Sequence, residues 1–422
     1  MSSENVGEAK NEGILVVGGG ISGMTAAVEA AEVGKKVYLV EKEPYLGGRV
    51  VRMNQYFPKL CPPVCGFEIN SRRIKQNPRI ETFVSTQVKK ITGRPGAFVV
   101  TLETKASMVN DNCTACGKCI DQCPVERKDD FNYGMAKTKA IFLPHAMAYP
   151  FKYVIDPSVC KGKDCAKCVE ACEYDAIDLD AVPVEFELNV TSVVFATGWK
   201  PYDATRMENL GFGKFKNVVT NVMMERIAAV DGPTGGKIQR PSDGKEPKSI
   251  AFVQCAGSRD ENHLAYCSGV CCMASLKQST YVKEKLPDCN MEMFYIDLRV
   301  APRVEEFSVK VQENEKLKLT KGKVAEITED PSTGNLTVTA EDTLAGEKIH
   351  REVEMVVLAT GMEPNPVVKE LVPDLEFDEH GFVHPETTDK GIVGAGCAKA
   401  PLDVYSSVQD ATAAALKAII LR

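Results

Sequence analysis

The sequence predicts an α/β fold in which two Rossmann-type nucleotide-binding units carry an inserted cysteine-rich domain. A short β-branched strand runs into the glycine-rich turn Gly18 to Gly23, and a second strand–helix–strand pattern begins at Lys248. Two cysteine runs, from Cys113 to Cys123 and from Cys160 to Cys172, lie between these patterns. At 422 residues the chain is long enough for about three domains.

The composition argues against a nucleic-acid-binding, secreted or membrane-spanning protein. The net charge is −7 and no long basic block occurs, which argues against nucleic acid as a partner. The N-terminus is polar, without a secretory signal, so the sixteen cysteines are expected to be reduced thiols in a cytosol. The longest apolar stretches are broken by glycines and charges, which predicts a cytoplasmic protein without a membrane span of its own.

The first unit begins with a complete dinucleotide-binding fingerprint. A buried strand at residues 13–18 leads into G-x-G-x-x-G, a helix is predicted over 24–33, and a second strand over 36–40 leads to Glu41. The glycines allow a tight turn and close approach of the backbone to a pyrophosphate at the helix N-terminus. Glu41, which follows Gly18 by 23 residues, can accept hydrogen bonds from the ribose hydroxyls.

Several further segments resemble the glutathione reductase superfamily of FAD proteins. Lys42 and Gly47-Gly48-Arg49 resemble its extended FAD motif, and two strands end in Ala-Thr-Gly, at residues 196–198 and 359–361. Residues 391–396 precede an Ala-rich helix from about 403 to 420, which is similar to the last strand and flavin-facing helix of that superfamily. The resemblance implies FAD bound by Gly18, Gly20, Ile21, Ser22, Gly23, Glu41, Lys42, Gly48, Arg49, Val88, Ala196, Thr197, Gly198, Gly361 and Gly396.

The second unit lacks the fingerprint that would bind NAD(P)H. A strand is predicted over 248–253, a helix over 273–285 and a strand over 291–297, but no G-x-G-x-x-G lies between the first strand and the helix. Four cysteines with the spacing C-x(11)-C-x(3)-C-C replace it, namely Cys255, Cys267, Cys271 and Cys272. A nicotinamide dinucleotide is therefore not the expected electron donor.

Three interpretations of these four cysteines stay open. Thiolates near a helix N-terminus are stabilised by the positive end of the helix, which favours a third [4Fe–4S] cluster there. Zinc is the competing metal, although zinc sites made of four cysteines usually come as paired short runs. The third interpretation is a group of structural cysteines without a metal.

The two earlier runs have the spacing of a two-cluster bacterial ferredoxin, in which the fourth cysteine of each run ligates the other cluster. The second run departs from it, with four residues between Cys160 and Cys165 and with Glu173 in place of proline. One [4Fe–4S] cluster is expected on Cys113, Cys116, Cys119 and Cys172, and another on Cys160, Cys165, Cys168 and Cys123. Two zinc sites are the alternative.

Other candidates are weaker. Cys61 and Cys65 could form a redox-active disulfide, supply cluster ligands or be structural, whereas Cys289 and Cys397 are expected to be buried thiols. The five histidines are scattered, His145 is expected in a loop, and no Ser-His-Asp or paired-carboxylate arrangement is recognisable. No catalytic acid, base or nucleophile is predicted, which favours electron transfer over group transfer.

The whole pattern resembles the A subunit of heterodisulfide reductase, most specifically in the string from Gln254 to Met273. The compact length, and strings such as Phe57-Pro-Lys-Leu-Cys61, resemble the branch of that family found in the quinone-interacting membrane-bound oxidoreductase complex of sulfate reducers. The expected boundaries are 1–107 for the first part of the FAD-binding domain, 108–182 for the insert, 183–245 for its middle part and crossover, 246–350 for the second unit and 351–422 for its C-terminal part.

This resemblance implies an oxidoreductase subunit that passes electrons between menaquinol and adenylylsulfate reductase. Its partners would be a second flavin and iron–sulfur subunit of the same family and a membrane haem subunit, with this chain cytoplasmic and peripheral to the inner membrane. Pairing a flavin with low-potential clusters suggests electron bifurcation or confurcation. The alternatives are a heterodisulfide-reductase-type subunit with soluble hydrogenase or formate dehydrogenase partners, and a stand-alone NAD(P)H-dependent oxidoreductase, against which the missing second fingerprint argues.

Overall fold

The computed structural model describes residues 13–384 and 390–420. Its helices are α1 Ile21–Glu32, α2 Pro63–Gln76, α3 Lys118–Gln122, α4 Lys167–Glu170, α5 Asn221–Ala228, α6 Cys271–Lys285, α7 Glu305–Gln312, α8 Val367–Leu371 and α9 Val404–Ile420. The first strands are β1 Gly13–Val17, β2 Lys36–Val40, β3 Ile80–Phe83, β4 Thr86–Arg94, β5 Ala97–Thr104, β6 Glu126–Lys128, β7 Lys137–Lys139, β8 Ile141–Phe142, β9 Val154–Ile155, β10 Val184–Val190 and β11 Ser192–Phe195. The later ones are β12 Trp199–Pro201, β13 Val218–Thr220, β14 Ser249–Ala256, β15 Asn290–Tyr295, β16 Leu317–Lys321, β17 Val324–Glu329, β18 Leu336–Asp342, β19 Glu347–Val353, β20 Met355–Thr360, β21 Met362–Pro364 and β22 Ile392–Gly394.

The first unit is a three-layer sandwich around a five-stranded parallel sheet with the order β22-β11-β1-β2-β3. In this sheet Leu15 pairs with Val193 on one side and with Tyr38 on the other. Helices α1 and α9 pack on one face, and the antiparallel sheet β10-β5-β4 covers the other. Because both faces are covered, β1 is buried along its whole length.

The second unit repeats this plan with a parallel sheet of order β13-β20-β14-β15-β16. Helices α5, α6 and α7 pack on one face, and the antiparallel sheet β17-β18-β19 packs on the other. The chain crosses between the units twice, through β12 and β21. These two strands pair with each other, with Trp199 opposite Pro364.

Helix starts differ most from the sequence expectation. Helix α1 begins at Ile21 rather than at residue 24, and α6 begins at Cys271 rather than at residue 273. The first turn of α1 therefore contains the last three fingerprint residues, and the first turn of α6 contains two of the four clustered cysteines. Residues of both first turns are buried, among them Ser22 and Gly23 in α1 and Cys271 and Cys272 in α6.

Residues 105–183, called the cysteine segment below, lie between β5 and β10. They contain the short helices α3 and α4 and the strand pairs β6–β7 and β8–β9, around a small core that includes Cys119, Ile141 and Tyr153. The segment contacts the first unit directly, because the Leu46 N–H donates a 2.9 Å hydrogen bond to the Tyr149 carbonyl. Within the described ranges, no helix combines the length and apolar character needed to cross a bilayer.

Candidate functional site

The fingerprint turn forms a three-residue connection, Gly18 to Gly20, between β1 and α1. Gly18 has φ +108°, and a Cβ atom there would lie 2.3 Å from the Ala196 carbonyl oxygen. A Cβ at Gly23 would lie 1.7 Å from the Gly18 carbonyl oxygen, so the helix packs against the turn only because residue 23 has no side chain. Gly20 is the N-cap residue of α1, which leaves the N–H groups of the first turn available to an anion.

Glu41 lies directly beside this turn. Its Oε2 atom accepts a 2.6 Å hydrogen bond from the Gly19 N–H, and its Oε1 atom accepts one of 2.9 Å from the Glu43 N–H. Burial raises the pKa of Glu41, and the two backbone hydrogen bonds oppose that shift. The carboxylate is thus held at the end of β2, where the ribose of a dinucleotide on the α1 N-terminus would lie.

The segment after Glu41, which includes Gly47 and Gly48, packs against the fingerprint turn. The Gly47 N–H donates a 2.8 Å hydrogen bond to the Gly19 carbonyl, and a Cβ at Gly48 would lie 2.9 Å from the Gly20 Cα atom. Arg49 donates from Nε to the Trp199 carbonyl at 2.8 Å, and its guanidinium lies over the Trp199 ring. Burial lowers the pKa of Arg49.

Two distant parts of the chain complete the edge of this sheet. The Thr197 hydroxyl is buried without a hydrogen-bond partner among the described residues, which fits a polar group of a bound ligand beside it. Gly396, with φ +59°, donates from its N–H to Asp410 Oδ2 at 2.7 Å. A Cβ at Gly396 would lie 2.1 Å from the Ser22 hydroxyl, so the C-terminal segment touches the first turn of α1.

Not every residue expected around FAD joins this group. Lys42 is an exposed side chain at the rim. Val88 is buried in the core between the first parallel sheet and the sheet β10-β5-β4. Gly361 lies at the end of β20 in the second unit, where a Cβ would lie 2.2 Å from the Ser258 hydroxyl.

The cysteine segment contains two cavities, each surrounded by four cysteines. One has about 330 Å³ of empty space, partly open to solvent, and is lined by Cys113, Cys116, Cys119 and Cys172. The other has about 340 Å³ and is lined by Cys123, Cys160, Cys165 and Cys168. The cysteines therefore group as the ferredoxin spacing predicts, with the fourth cysteine of each run beside the other cavity, and their role as cluster ligands stays a prediction.

The chemistry of these thiols fits a metal centre. Burial, and then the nearby Cys113, raise the pKa of Cys119 to about 11. Burial, followed by Cys160, also raises the pKa of Cys168. Several thiolates held so close together need the positive charge of a metal to stay deprotonated. In the portion of the chain that is described, no three His, Cys, Asp or Glu side chains converge closely enough to hold one metal ion, and the cysteines surround a cavity instead.

The four cysteines of the second unit also lie near one another. Burial raises the pKa of Cys255 to about 11, and Cys272 and Cys267 both contribute to that increase. Cys271 is buried, and its pKa is raised by burial and then by the other three thiols. The two adjacent thiols contact different carbonyls: Cys271 Sγ lies 3.5 Å from the Thr360 oxygen, and Cys272 Sγ lies 3.7 Å from the Asp297 oxygen.

The connection that carries these thiols differs from the fingerprint turn. Residues 257–270, fourteen in all, separate β14 from α6, compared with three residues between β1 and α1. Side chains fix this loop: Arg259 Nη1 donates to Asp297 Oδ1 at 2.5 Å, and the Tyr202 hydroxyl and His263 Nδ1 are 2.5 Å apart. The short phosphate-binding turn of a nucleotide unit is therefore missing here.

The remaining candidates occupy different surroundings. Cys61 precedes α2 and Cys65 lies in its first turn, exposed, and both lie close enough to Tyr56 to raise its pKa in addition to the larger effect of burial. Cys289 and Cys397 are buried, as expected. His145 lies in a loop, as expected, and its ring stacks on that of Phe131 with 5.0 Å between the ring centroids.

A buried ion pair joins Glu225 on α5 to Lys277 on α6 at 3.1 Å, and the sequence alone does not predict it. Asp410 was not predicted either; it accepts a hydrogen bond from the Gly396 N–H and pairs with Lys399 at 2.5 Å. The only local signal for Lys277 is a charged residue within the helix predicted over 273–285. Its partner lies 52 residues away, and no local pattern indicates that contact.

Comparison with known proteins agrees with this geometry. Residues 13–119 match the family model "FAD dependent oxidoreductase", which supports FAD as the cofactor of the first unit. The thioredoxin reductases of T. acidophilum and Lactococcus lactis are 15% and 14% identical to this chain, each with a TM-score of 0.53. Each match covers 97% of this chain, with 98% and 99% of the respective reductase, and shows a thioredoxin-reductase-like α/β fold.

Homologues of the chain are A subunits of heterodisulfide reductases. The second iron–sulfur A subunit of CoB–CoM heterodisulfide reductase from Methanopyrus kandleri is 39% identical over 417 residues, covering 96% of this chain and 63% of that protein. The A subunit of "H(2):CoB-CoM heterodisulfide,ferredoxin reductase" from Methanothermobacter marburgensis is 36% identical, with coverages of 96% and 63%. The chain spans about 63% of the length of these relatives. These comparisons confirm the expectation that the chain is an oxidoreductase with an FAD-binding fold.

Proposed function

We propose that this homologue of the heterodisulfide reductase A subunits is a flavin and iron–sulfur electron-transfer protein that takes no electrons from a nicotinamide dinucleotide. The observation that carries the proposal is the contrast between two equivalent turns. The turn after β1 is a three-residue glycine fingerprint beside Glu41, whereas the connection after β14 has fourteen residues and lies among four cysteines. One unit can hold a dinucleotide, and the other presents thiols in the same place.

The residues of the chain have distinct parts in this function. The first turn of α1 would bind the pyrophosphate and Glu41 the ribose. Gly48 and Gly396 let their own segments pack closely against Gly20 and Ser22 at this turn. When bound, FAD supplies the exchange between two-electron and one-electron transfer. The eight cysteines around the two cavities would hold two [4Fe–4S] clusters, and Cys255, Cys267, Cys271 and Cys272 a third.

The names of the homologues favour a heterodisulfide-reductase-type complex. They include the A subunit of "H(2)/formate:CoB-CoM heterodisulfide,ferredoxin reductase" from Methanococcus maripaludis, 37% identical over 420 residues, with coverages of 95% and 63%. By this analogy, soluble hydrogenase or formate dehydrogenase subunits would be the partners, and the flavin would divide electrons between a low-potential and a high-potential branch. Crossed one-electron potentials in a flavin redox titration are the expected result, and well-separated uncrossed potentials would contradict bifurcation.

A second candidate is the quinone-interacting complex of sulfate reducers, with electrons passing between menaquinol and adenylylsulfate reductase. The strings Phe57-Pro-Lys-Leu-Cys61 and Phe131-Asn-Tyr-Gly-Met135 favour it. In that case the chain would be cytoplasmic, attached to the membrane through a haem subunit. Co-purification separates the candidates, because a haem-bearing membrane subunit is expected here and hydrogenase-type subunits in the first case.

The test of the proposal is anaerobic mixing of the flavin-loaded protein with NADH, with NADPH and with a low-potential one-electron donor. We expect the one-electron donor to bleach the flavin and neither nicotinamide to do so on the time scale of turnover. Rapid bleaching by NADH or NADPH would overturn the interpretation of residues 255–272.

A further inference from the structure

The ion pair between Glu225 and Lys277 is buried between α5 and α6. The Lys277 Nζ and Glu225 Oε1 atoms are 3.1 Å apart, with side-chain exposures of 5% and 8%. Glu225 also accepts hydrogen bonds from Gln278 Nε2 at 2.7 Å and from the Tyr281 hydroxyl at 3.2 Å. A buried charge pair of this kind persists only when further hydrogen bonds satisfy both partners.

Both members of the pair also bind the backbone of the first unit. Glu225 Oε2 accepts a 3.0 Å hydrogen bond from the Asn54 N–H, and Lys277 Nζ donates one of 2.5 Å to the Gln55 carbonyl. Two residues further on, Phe57 packs edge-on against Phe307 of α7, with 5.2 Å between the ring centroids. Residues 54–57 closely follow residues 42–49, called the flavin-binding loop below, so the second unit holds the segment that leaves this loop.

The neighbouring residue Arg226 attaches the cysteine segment to the same helix. Its Nε atom donates a 2.8 Å hydrogen bond to Asn132 Oδ1, and its guanidinium lies 4.7 Å from the centroid of the Phe131 ring. Arg226 is only 1% exposed. Helix α5 is therefore the place where the flavin-binding loop, the cysteine segment and the second unit meet.

We propose that Glu225 and Lys277 are positioning residues that hold α6, with Cys271 and Cys272 in its first turn, at a fixed separation from the flavin-binding loop. The inference rests on the proposed function, because it assumes a metal centre on those cysteines. Lys277 lies six residues after Cys271, or about 9 Å along the helix. A rotation of the second unit about β12 and β21 would have to separate the Lys277 ammonium from Gln55 and expose a buried charge pair.

The experiment uses the full chain loaded with flavin and clusters. An electron is placed on the flavin by photoreduction, and its arrival at the third centre is followed by freeze-quench electron paramagnetic resonance. The variants are Lys277→Met, Lys277→Arg and the double variant Glu225→Gln/Lys277→Met, which leaves no unpaired buried charge if the single variant does not fold. Lys285→Met is the matched control, because Lys285 lies on the same helix and its ammonium donates to the carbonyls of Ala228 and Gly236, both in the second unit.

We expect Lys277→Met and the double variant to slow this transfer by about tenfold or more while the midpoint potentials stay unchanged. Hydrogen exchange at the Asn54 amide should become faster in both. Lys277→Arg should restore most of the rate, and Lys285→Met should leave it unchanged. A purely structural role would not separate the transfer rate from the potentials in this way.

Wild-type transfer rates in Lys277→Met and the double variant would overturn the inference. So would an equal loss of rate in Lys285→Met. Failure of the proposed function is a different result, namely no third centre in the wild-type protein. In that case, an unchanged rate of hydrogen exchange at the Asn54 amide in the variants would still show that this pair does not hold the flavin-binding loop.

Discussion

Glu41 and Gly19 are joined by a 2.6 Å hydrogen bond between a carboxylate oxygen and the backbone N–H of the fingerprint turn. This bond places the acidic residue at the end of β2 directly beside the N-terminus of α1. Spacing along the chain predicts that the two segments meet. The geometry adds that the carboxylate is buried and already oriented by the backbone before any ligand contacts it.

Replacing this carboxylate should weaken FAD binding without unfolding the protein. We expect Glu41→Gln to raise the Kd for FAD by about tenfold to a hundredfold, because hydrogen bonds to a charged group contribute about 1.5–3 kcal/mol. Isothermal titration of the flavin-free protein measures this. Glu43→Gln is the control, since the hydrogen bond from Glu43 to Glu41 comes from its backbone N–H. Equal Kd values for all three proteins would refute the assigned role.

Substitutions at two fingerprint glycines should affect folding and FAD binding differently. Gly20→Ala adds a Cβ with nothing closer than 3.8 Å, whereas Gly23→Ala places one 1.7 Å from the Gly18 carbonyl oxygen. The first variant should fold normally and lose FAD, because the new methyl group occupies the space through which the pyrophosphate approaches. The second should be destabilised by about 3 kcal/mol or more. Thermal denaturation and flavin content distinguish them, and normal flavin content in Gly20→Ala would be the contrary result.

Charge around the second cavity should raise the potential of the cluster there. Lys161 and Lys167 line the cavity of Cys123, Cys160, Cys165 and Cys168, and neither forms an ion pair with any other described residue. Lys118, at the first cavity, is paired with Glu173 at 2.5 Å. Two nearby unpaired cations favour the reduced, more negative state of a cluster.

We therefore expect the double variant Lys161→Gln/Lys167→Gln to lower the midpoint potential of one cluster by about 20–60 mV. Potentiometric titration monitored by electron paramagnetic resonance measures this. Lys163→Gln is the control, because Lys163 pairs with Asp180 at 2.6 Å and does not line the cavity. An unchanged potential in the double variant, or an equal shift in the control, would count against this charge effect.

His145 should make stability sensitive to acid. Burial lowers its pKa from 6.5 to about 4, and its ring packs among Phe131, Tyr45 and Phe67. Between these two pH values the unfolded chain binds a proton at His145 and the folded protein does not. The neutral, buried ring therefore contributes its full stabilising free energy above pH 6.5, and this free energy is lost as the pH falls towards 4.

Thermal denaturation across this range, compared between the wild type and His145→Phe, measures the effect. The variant should lose less stability on acidification than the wild type, by up to about 3 kcal/mol at pH 4. Parallel curves for the two proteins would show that His145 does not titrate in this way.

The sequence predicted those parts of the site that depend on local spacing. The fingerprint glycines, Glu41 and the grouping of eight cysteines around two cavities all follow from motifs of fewer than about 30 residues or from an exchange between two such motifs. The start of α6 at Cys271 was not predicted, because the cysteine string that ends at Cys272 was expected to precede the helix. The pair of Glu225 and Lys277 could not be predicted, since it forms only when distant segments pack together.

The proposed function requires three iron–sulfur clusters for each flavin, with the third in place of a nicotinamide site. Counting iron and acid-labile sulfide per FAD in anaerobically purified protein tests this requirement. We expect about twelve of each per FAD, falling to about eight in Cys267→Ala and staying at about twelve in Cys289→Ala. About eight in the wild type, or stoichiometric zinc in the second unit, would contradict the proposed function.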